Sequence, residues 1–141
     1  TRWFIIKGEA AYVVSRDENT DDYAVYVIEI ERQTEEWLFD IGYAGEVVRR
    51  ARVPFTFSPD RQLARSIIGR VQYTIEESTF TLESAARTNG DGVYAKLEYS
   101  QLIGQRWRLT AALVGLHGES GDFLGQYRRN SHAILGLRFS F

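Results

Sequence analysis

His132-Ala133-Ile134-Leu135-Gly136-Leu137-Arg138-Phe139-Ser140-Phe141 ends the sequence, and its reading decides the fold. Ala133, Leu135, Leu137, Phe139 and Phe141 recur at every second position, and Arg138 falls between two of them. A period of two places alternate side chains on opposite faces of an extended chain, so the segment reads as a strand with one apolar and one polar face. A helix would interleave the two sets.

Working back from this strand, the same alternation recurs in seven further stretches: 2–15, 21–34, 36–49, 64–77, 79–89, 92–103 and 106–118. With 131–141 they make eight. The connections alternate in length. Those around Gln33-Thr34-Glu35, Glu76-Glu77-Ser78 and Gly104-Gln105 are tight. The others are longer and polar: Arg16 to Thr20, Arg50 to Gln62 with Pro54 and Pro59, Thr88-Asn89-Gly90-Asp91-Gly92, and Gly118 to Asn130. Asn-Gly and Asp-Gly pairs favour hairpin turns. Residues 1–141 are therefore expected to form one all-β domain, an antiparallel up-and-down barrel of eight strands.

The two faces differ sharply. One carries Phe4, Ile6 and Tyr12, then Tyr26, then Trp37, Phe39, Ile41 and Tyr43, then Tyr73, Phe80 and Tyr99, then Trp107 and Leu113, then Leu135, Phe139 and Phe141. The other carries Lys7 and Glu9, Glu29 and Glu31, Asp40 and Glu46, Arg70, Glu83 and Arg87, Lys96 and Glu98, Arg106 and Arg108, and Arg138. Alternation alone does not say which face meets solvent. The height of the aromatics does. If odd strands run outward, Phe4, Trp37, Tyr73, Phe80, Tyr99, Trp107, Phe139 and Phe141 fall at one level, and Tyr12, Tyr26 and Tyr43 at the other. Two aromatic belts match the two interfaces of a bilayer, and a water-soluble core has no reason to sort rings by height. The expectation is a transmembrane barrel with the apolar face against lipid.

Composition is compatible with this and excludes other classes. The chain is 44% hydrophobic and 26% charged, too apolar for disorder. No apolar run reaches the roughly 18 residues of a transmembrane helix, while a membrane strand needs only about 9–11 with every second one apolar. A net charge of −2 offers no basic field for nucleic acid. Cysteine is absent, which excludes disulfides and thiolate metal sites. Thr1 stands where a start methionine would, and Trp3-Phe4-Ile5-Ile6 already reads as strand, so a segment of a longer chain is expected.

The last residues resemble the C-terminal targeting strand of bacterial outer-membrane proteins. Gly136, Phe139 and Phe141 match that assembly signal; Ile134 departs, because a polar residue is expected there. The resemblance implies the bacterial outer membrane as location and its barrel-assembly machinery as partner. Three further segments, Arg87 to Gly92, Glu98-Tyr99-Ser100-Gln101 and Asp122 to His132, resemble the C-terminal portion of larger porin-like proteins. The strand count resembles small OmpA-type barrels. The resemblances thus imply either a compact barrel or the C-terminal part of a passive diffusion channel. Closed alone, eight strands leave an interior just filled by side chains, and seven inward acids against seven bases predict a salt-bridged lumen. In a wider barrel the same residues would line an aqueous pore.

Catalytic signatures are missing. No Gly-x-Ser-x-Gly occurs. His117 and His132 flank the last long connection with Glu119 and Asp122 nearby, but surface histidines explain them better than a metal site, which needs three or four ligands. No cofactor, metal or enzymatic activity is expected. Arg49, Arg50, Arg52, Arg128 and Arg129 make the outer loops locally basic and suited to lipopolysaccharide phosphates. Two other readings are a soluble lipocalin-like binding barrel and an outer-membrane enzyme. Oligomeric state and any solute are not legible.

Overall fold

The computed structural model describes residues 3–14, 16, 21–50 and 63–140. Eight strands run as β1 Ile5–Val13, β2 Asp22–Gln33, β3 Trp37–Arg50, β4 Ser66–Ile75, β5 Ser78–Arg87, β6 Val93–Ile103, β7 Trp107–His117 and β8 His132–Phe139. They form one sheet in chain order, each strand antiparallel to the next. Each overlaps one of the eight expected segments. Asp17 to Thr20, Pro54, Pro59, Arg52 and Phe141 lie outside the described residues.

The tight connections are built as the sequence suggests. Between β2 and β3, Thr34 Oγ1 accepts from Trp37 N–H at 3.1 Å, and Thr34 N–H donates to Trp37 O at 2.8 Å. Glu76 between β4 and β5 takes a positive φ of 49°. Gly104 between β6 and β7 takes 61°, the left-handed region where glycine carries no Cβ penalty.

The expected closed barrel is not formed. The sheet is open, with β1 and β8 paired on one side only. The cause lies in what the inner face must hold. A closed eight-stranded barrel has room only for packed side chains, and burying unpaired charge costs several kcal/mol. Charges from all eight strands point to that one face.

The connection from β7 to β8 carries more structure than its polar sequence suggests. A short helix, α1 Phe123–Gln126, is followed by a 3-10 turn, Arg128–Asn130. Asp122 is its N-cap, accepting from Leu124 N–H at 2.9 Å. The same carboxylate meets Arg87 Nε at 3.1 Å, and both side chains are largely buried. Asp91 Oδ2 accepts from Glu119 N–H at 2.8 Å. These bonds tie the connection to the β5–β6 turn, which resembles nothing in the eight-strand expectation. Gly118, at φ 145°, passes 3.0 Å from Gly92 Cα where a Cβ would sit, so the two loops interlock on glycines. Leu124 is thereby buried, and with Phe123 it flanks a groove of about 470 Å3 together with Ile68, Ala85 and Tyr94.

Asp122→Ala removes a helix cap and leaves the largely buried Arg87 without this partner. Hydrogen exchange at the Leu124 and Gln126 amides is expected to rise about a hundredfold, with β8 amides little changed.

Candidate functional site

The register fixes which side chains share a face. Asp40 lies opposite Arg70, Arg70 opposite Glu83, and Glu83 opposite Lys96, so one row of alternating sign crosses β3 to β6. Lys7 lies opposite Glu29, and Glu31 opposite Asp40. By strand alternation Glu9, Glu46, Arg87, Glu98, Arg108 and Arg138 fall on the same face. Arg106 precedes β7 in phase with Arg108. The sheet bends around this face: Tyr23, Ser66, Thr81, Ala85, Ser100 and Ala112 are buried on it.

Pairing on this face is partial. Lys7 meets Glu31 at 2.5 Å, Lys96 meets Glu98 at 2.7 Å, and Arg70 Nε lies 3.9 Å from Glu83. Glu46 takes Arg65 at 3.4 Å, and Arg87 takes Asp122, both from outside the expected set. Arg70 also donates to Gln72 at 2.9 Å, and Arg108 donates to Ser100 at 3.1 Å. Apart from the largely buried Arg87–Asp122 pair, these pairs retain substantial solvent contact, so water screens them and each adds little to stability. The ladder therefore sets polarity and charge order on the face more than it stabilises the fold.

Charge is also sorted across the sheet. Among the described side chains, β1 to β3 present Glu9, Glu29, Glu31, Asp40 and Glu46 against Lys7 alone. β7 and β8 present Arg108 and Arg138, with Arg106 at the turn and no acid on that face. Arg108 and Arg138 are direct cross-strand partners. Like charges opposite one another destabilise a sheet pair, so this end of the face wants anionic company.

The opposite face inverts the usual arrangement. Leu135 is 79% exposed, Ile6 76%, Leu137 62%, and Ile41 and Leu113 61% each. The described aromatics expected in the two belts lie on this face, while Tyr23 and Tyr94 lie on the charged one. Trp37, Tyr73, Phe80 and Tyr99 occupy one unbroken cross-strand row from β3 to β6. Ring centroids are 4.5 Å apart for Trp37 and Tyr73, and 4.8 Å for Phe80 and Tyr99 and for Trp107 and Phe139. The rings are tilted against one another, and such aromatic pairs add ~0.5–1.5 kcal/mol beyond area burial. Tyr26 and Tyr43 meet at 6.4 Å nearer the other end of β2 and β3. Tyr26 folds over Gly45, whose missing Cβ makes room for the ring. Phe4 and Tyr12 mark the two ends of β1. Eight residues apart, they are separated by roughly 27 Å of extended strand, close to the ~25 Å apolar band of a membrane barrel once tilt is allowed for.

The histidines do not come together. His132 lies opposite Val114, and His117 opposite Val93, so the two occupy opposite faces of β7 and β8. His132 Nδ1 is 2.6 Å from Asn130 O, and Asp122 is engaged by Arg87 and Leu124. Among the described residues no group of three or more metal-ligating side chains occurs. Asp122 as cap and latch was missed from sequence; the signal was present, since Asp before an apolar pair is a helix N-cap pattern.

Comparison with protein families, with curated proteins and with solved structures found no match.

Glu83 holds the middle of the charge row. Glu83→Gln is expected to lower unfolding stability by less than ~1 kcal/mol, and Glu83→Lys, which puts three cations in one row, by about 1–2 kcal/mol. Urea titration of the refolded chain in lipid vesicles measures both.

Proposed function

We propose that this chain forms part of the wall of an integral, non-enzymatic β-barrel in a bacterial outer membrane. Lipid would meet the face of Ile41, Leu113 and Leu135, and water would meet the face of Asp40, Arg70 and Glu83. The observation that carries the reading is the inversion itself. Large aliphatic side chains project into the surroundings on one face, while the charged ladder lies on the face around which the sheet curves. A soluble lipocalin-like barrel would bury the aliphatic set and expose the ladder, and would gain ~25 cal/mol for each Å2 of apolar surface so removed from water. In a bilayer the same surface needs no cover.

The open sheet favours a porin-like channel over a compact barrel. Its edges are free to pair, and its charged face is too crowded for the interior of eight strands alone. With further strands closing the ring, the ladder would line a water-filled passage for small hydrophilic solutes, acidic along β1 to β3 and basic along β7 and β8. The terminal strand, with Gly136 and Phe139, would dock with the barrel-assembly machinery. Arg49, Arg128 and Arg129 would meet lipopolysaccharide phosphates.

Two substitutions separate lipid from water as the surroundings. Leu113 and Thr110 lie on opposite faces of β7. Leu113→Arg is expected to cost ~2–4 kcal/mol in vesicles, as for a charge at the bilayer midplane, while Thr110→Arg costs under about 1 kcal/mol. Were the apolar face simply wet, Leu113→Arg would fall within about ±0.5 kcal/mol, as surface substitutions do. The intact chain should also need detergent to stay in solution. Solubility without detergent would contradict the reading.

A further inference from the structure

The apolar face carries one feature that a bare lipid-facing wall does not need. A groove of about 710 Å3 runs over β2 to β5, walled by Ile30, Trp37, Phe39, Ile41 and Leu82 and floored at Gly69. That volume is within the 300–1,000 Å3 range of ligand pockets. From Trp37 at one end to Ile67, opposite Tyr43, at the other, six residues of β3 give roughly 20 Å of strand. Half of the ~30 Å hydrocarbon core would fit along it.

Arg32 sits at the tight-turn end of this groove. It lies in phase with Ile28 and Ile30 on the apolar face of β2. Its register partner is Phe39, two residues inside the Trp37 row, so its Cα lies within the apolar band. A guanidinium there is costly unless its long stem carries it to the headgroups and to a counterion. The guanidinium carbon stands 5.7 Å from the Phe4 ring centroid, a cation–π contact that fixes the side chain at the rim. No ion pair to Arg32 occurs among the described residues. Glu35 and Glu36 lie in the turn beyond the aromatic row, on the water side.

We propose that this groove binds one anionic glycerophospholipid of the leaflet that faces the tight turns. The lipid phosphate meets Arg32, and one acyl chain lies between Ile41 and Leu82. The inference rests on the membrane reading given above. A positively charged rim residue attached to an apolar trough selects an amphiphile with a phosphate at one end. Neither an apolar ligand nor a free anion satisfies both halves.

The test uses the full chain carrying Trp3→Phe and Trp107→Phe, so that Trp37 is the sole tryptophan and is excited selectively at the red edge of tyrosine absorption. It is refolded into phosphatidylcholine vesicles containing a minor fraction of brominated phosphatidylglycerol, or of brominated phosphatidylcholine as control. The expected result is that the brominated anionic lipid quenches Trp37 more than its share of the vesicle accounts for. Arg32→Gln should lower that preference about fivefold, the factor given by ~1 kcal/mol per basic residue at an anionic surface, and Arg32→Lys should retain most of it. Equal quenching by both brominated lipids would overturn the lipid site and leave the membrane reading standing. No quenching by either would overturn the membrane reading. Loss of the anionic preference on adding inorganic phosphate would assign Arg32 to a free anion and overturn the lipid proposal.

Discussion

The rest of this structure depends on the period-two separation of charge from apolar surface, turned so that the charged side chains lie on the face around which the sheet bends. A strand gives each residue one of two directions, and a one-residue slip would exchange them all. Here eight strands hold the same phase. The row Asp40, Arg70, Glu83 and Lys96 crosses four strands without a slip, and Trp37, Tyr73, Phe80 and Tyr99 do the same on the opposite side. Each cross-strand contact is weak alone. Together they make any other register place a lysine, an arginine or a carboxylate among the aliphatics.

That constraint also explains why the sheet stays open. Closing eight strands requires an interior that side chains can fill. The inner set here is long and charged, only partly paired, and joined by the inward-folded Phe123 and Leu124. A wider curvature relieves the desolvation of the ladder and leaves β1 and β8 with unpaired backbone groups. Free edges are an aggregation liability in water. In hydrocarbon they are worse, since no solvent replaces the missing hydrogen bonds. The acidic face of β1 to β3 and the basic face of β7 and β8 are complementary in sign, so strands that close the ring next to β8 would best carry inward acids.

Strand count, strand order and which side chains share a face were legible in the sequence because alternation is a local signal and every segment repeats it. The long and short connections were legible too, through Asn89-Gly90 and Asp91-Gly92 and through the brevity of the turns at Thr34 and Gly104. Closure was not legible. It depends on tilt, stagger and interior volume, which no single strand encodes. The latch of Asp122 on Arg87 was hidden for a related reason: the partners are 35 positions apart in sequence, and the polar segment between β7 and β8 looks like any outer loop. Charge pairing was foreseen as a balance of numbers, but geometry distributes it unevenly, leaving Arg108 facing Arg138 while Glu46 is drawn to Arg65.

The central claim is that lipid lies against one face and water against the other. The absence of cysteine allows it to be read residue by residue. Single cysteines placed along β7 from Arg108 to Gly115, spin-labelled and refolded into vesicles, report accessibility to oxygen, which concentrates in lipid, and to a water-soluble nickel chelate. A period of two is expected, with Leu109, Ala111, Leu113 and Gly115 accessible to oxygen, Arg108, Thr110 and Val114 to nickel, and the buried Ala112 to neither. Nickel accessibility at Leu109, Ala111 and Leu113, or no alternation at all, would contradict it.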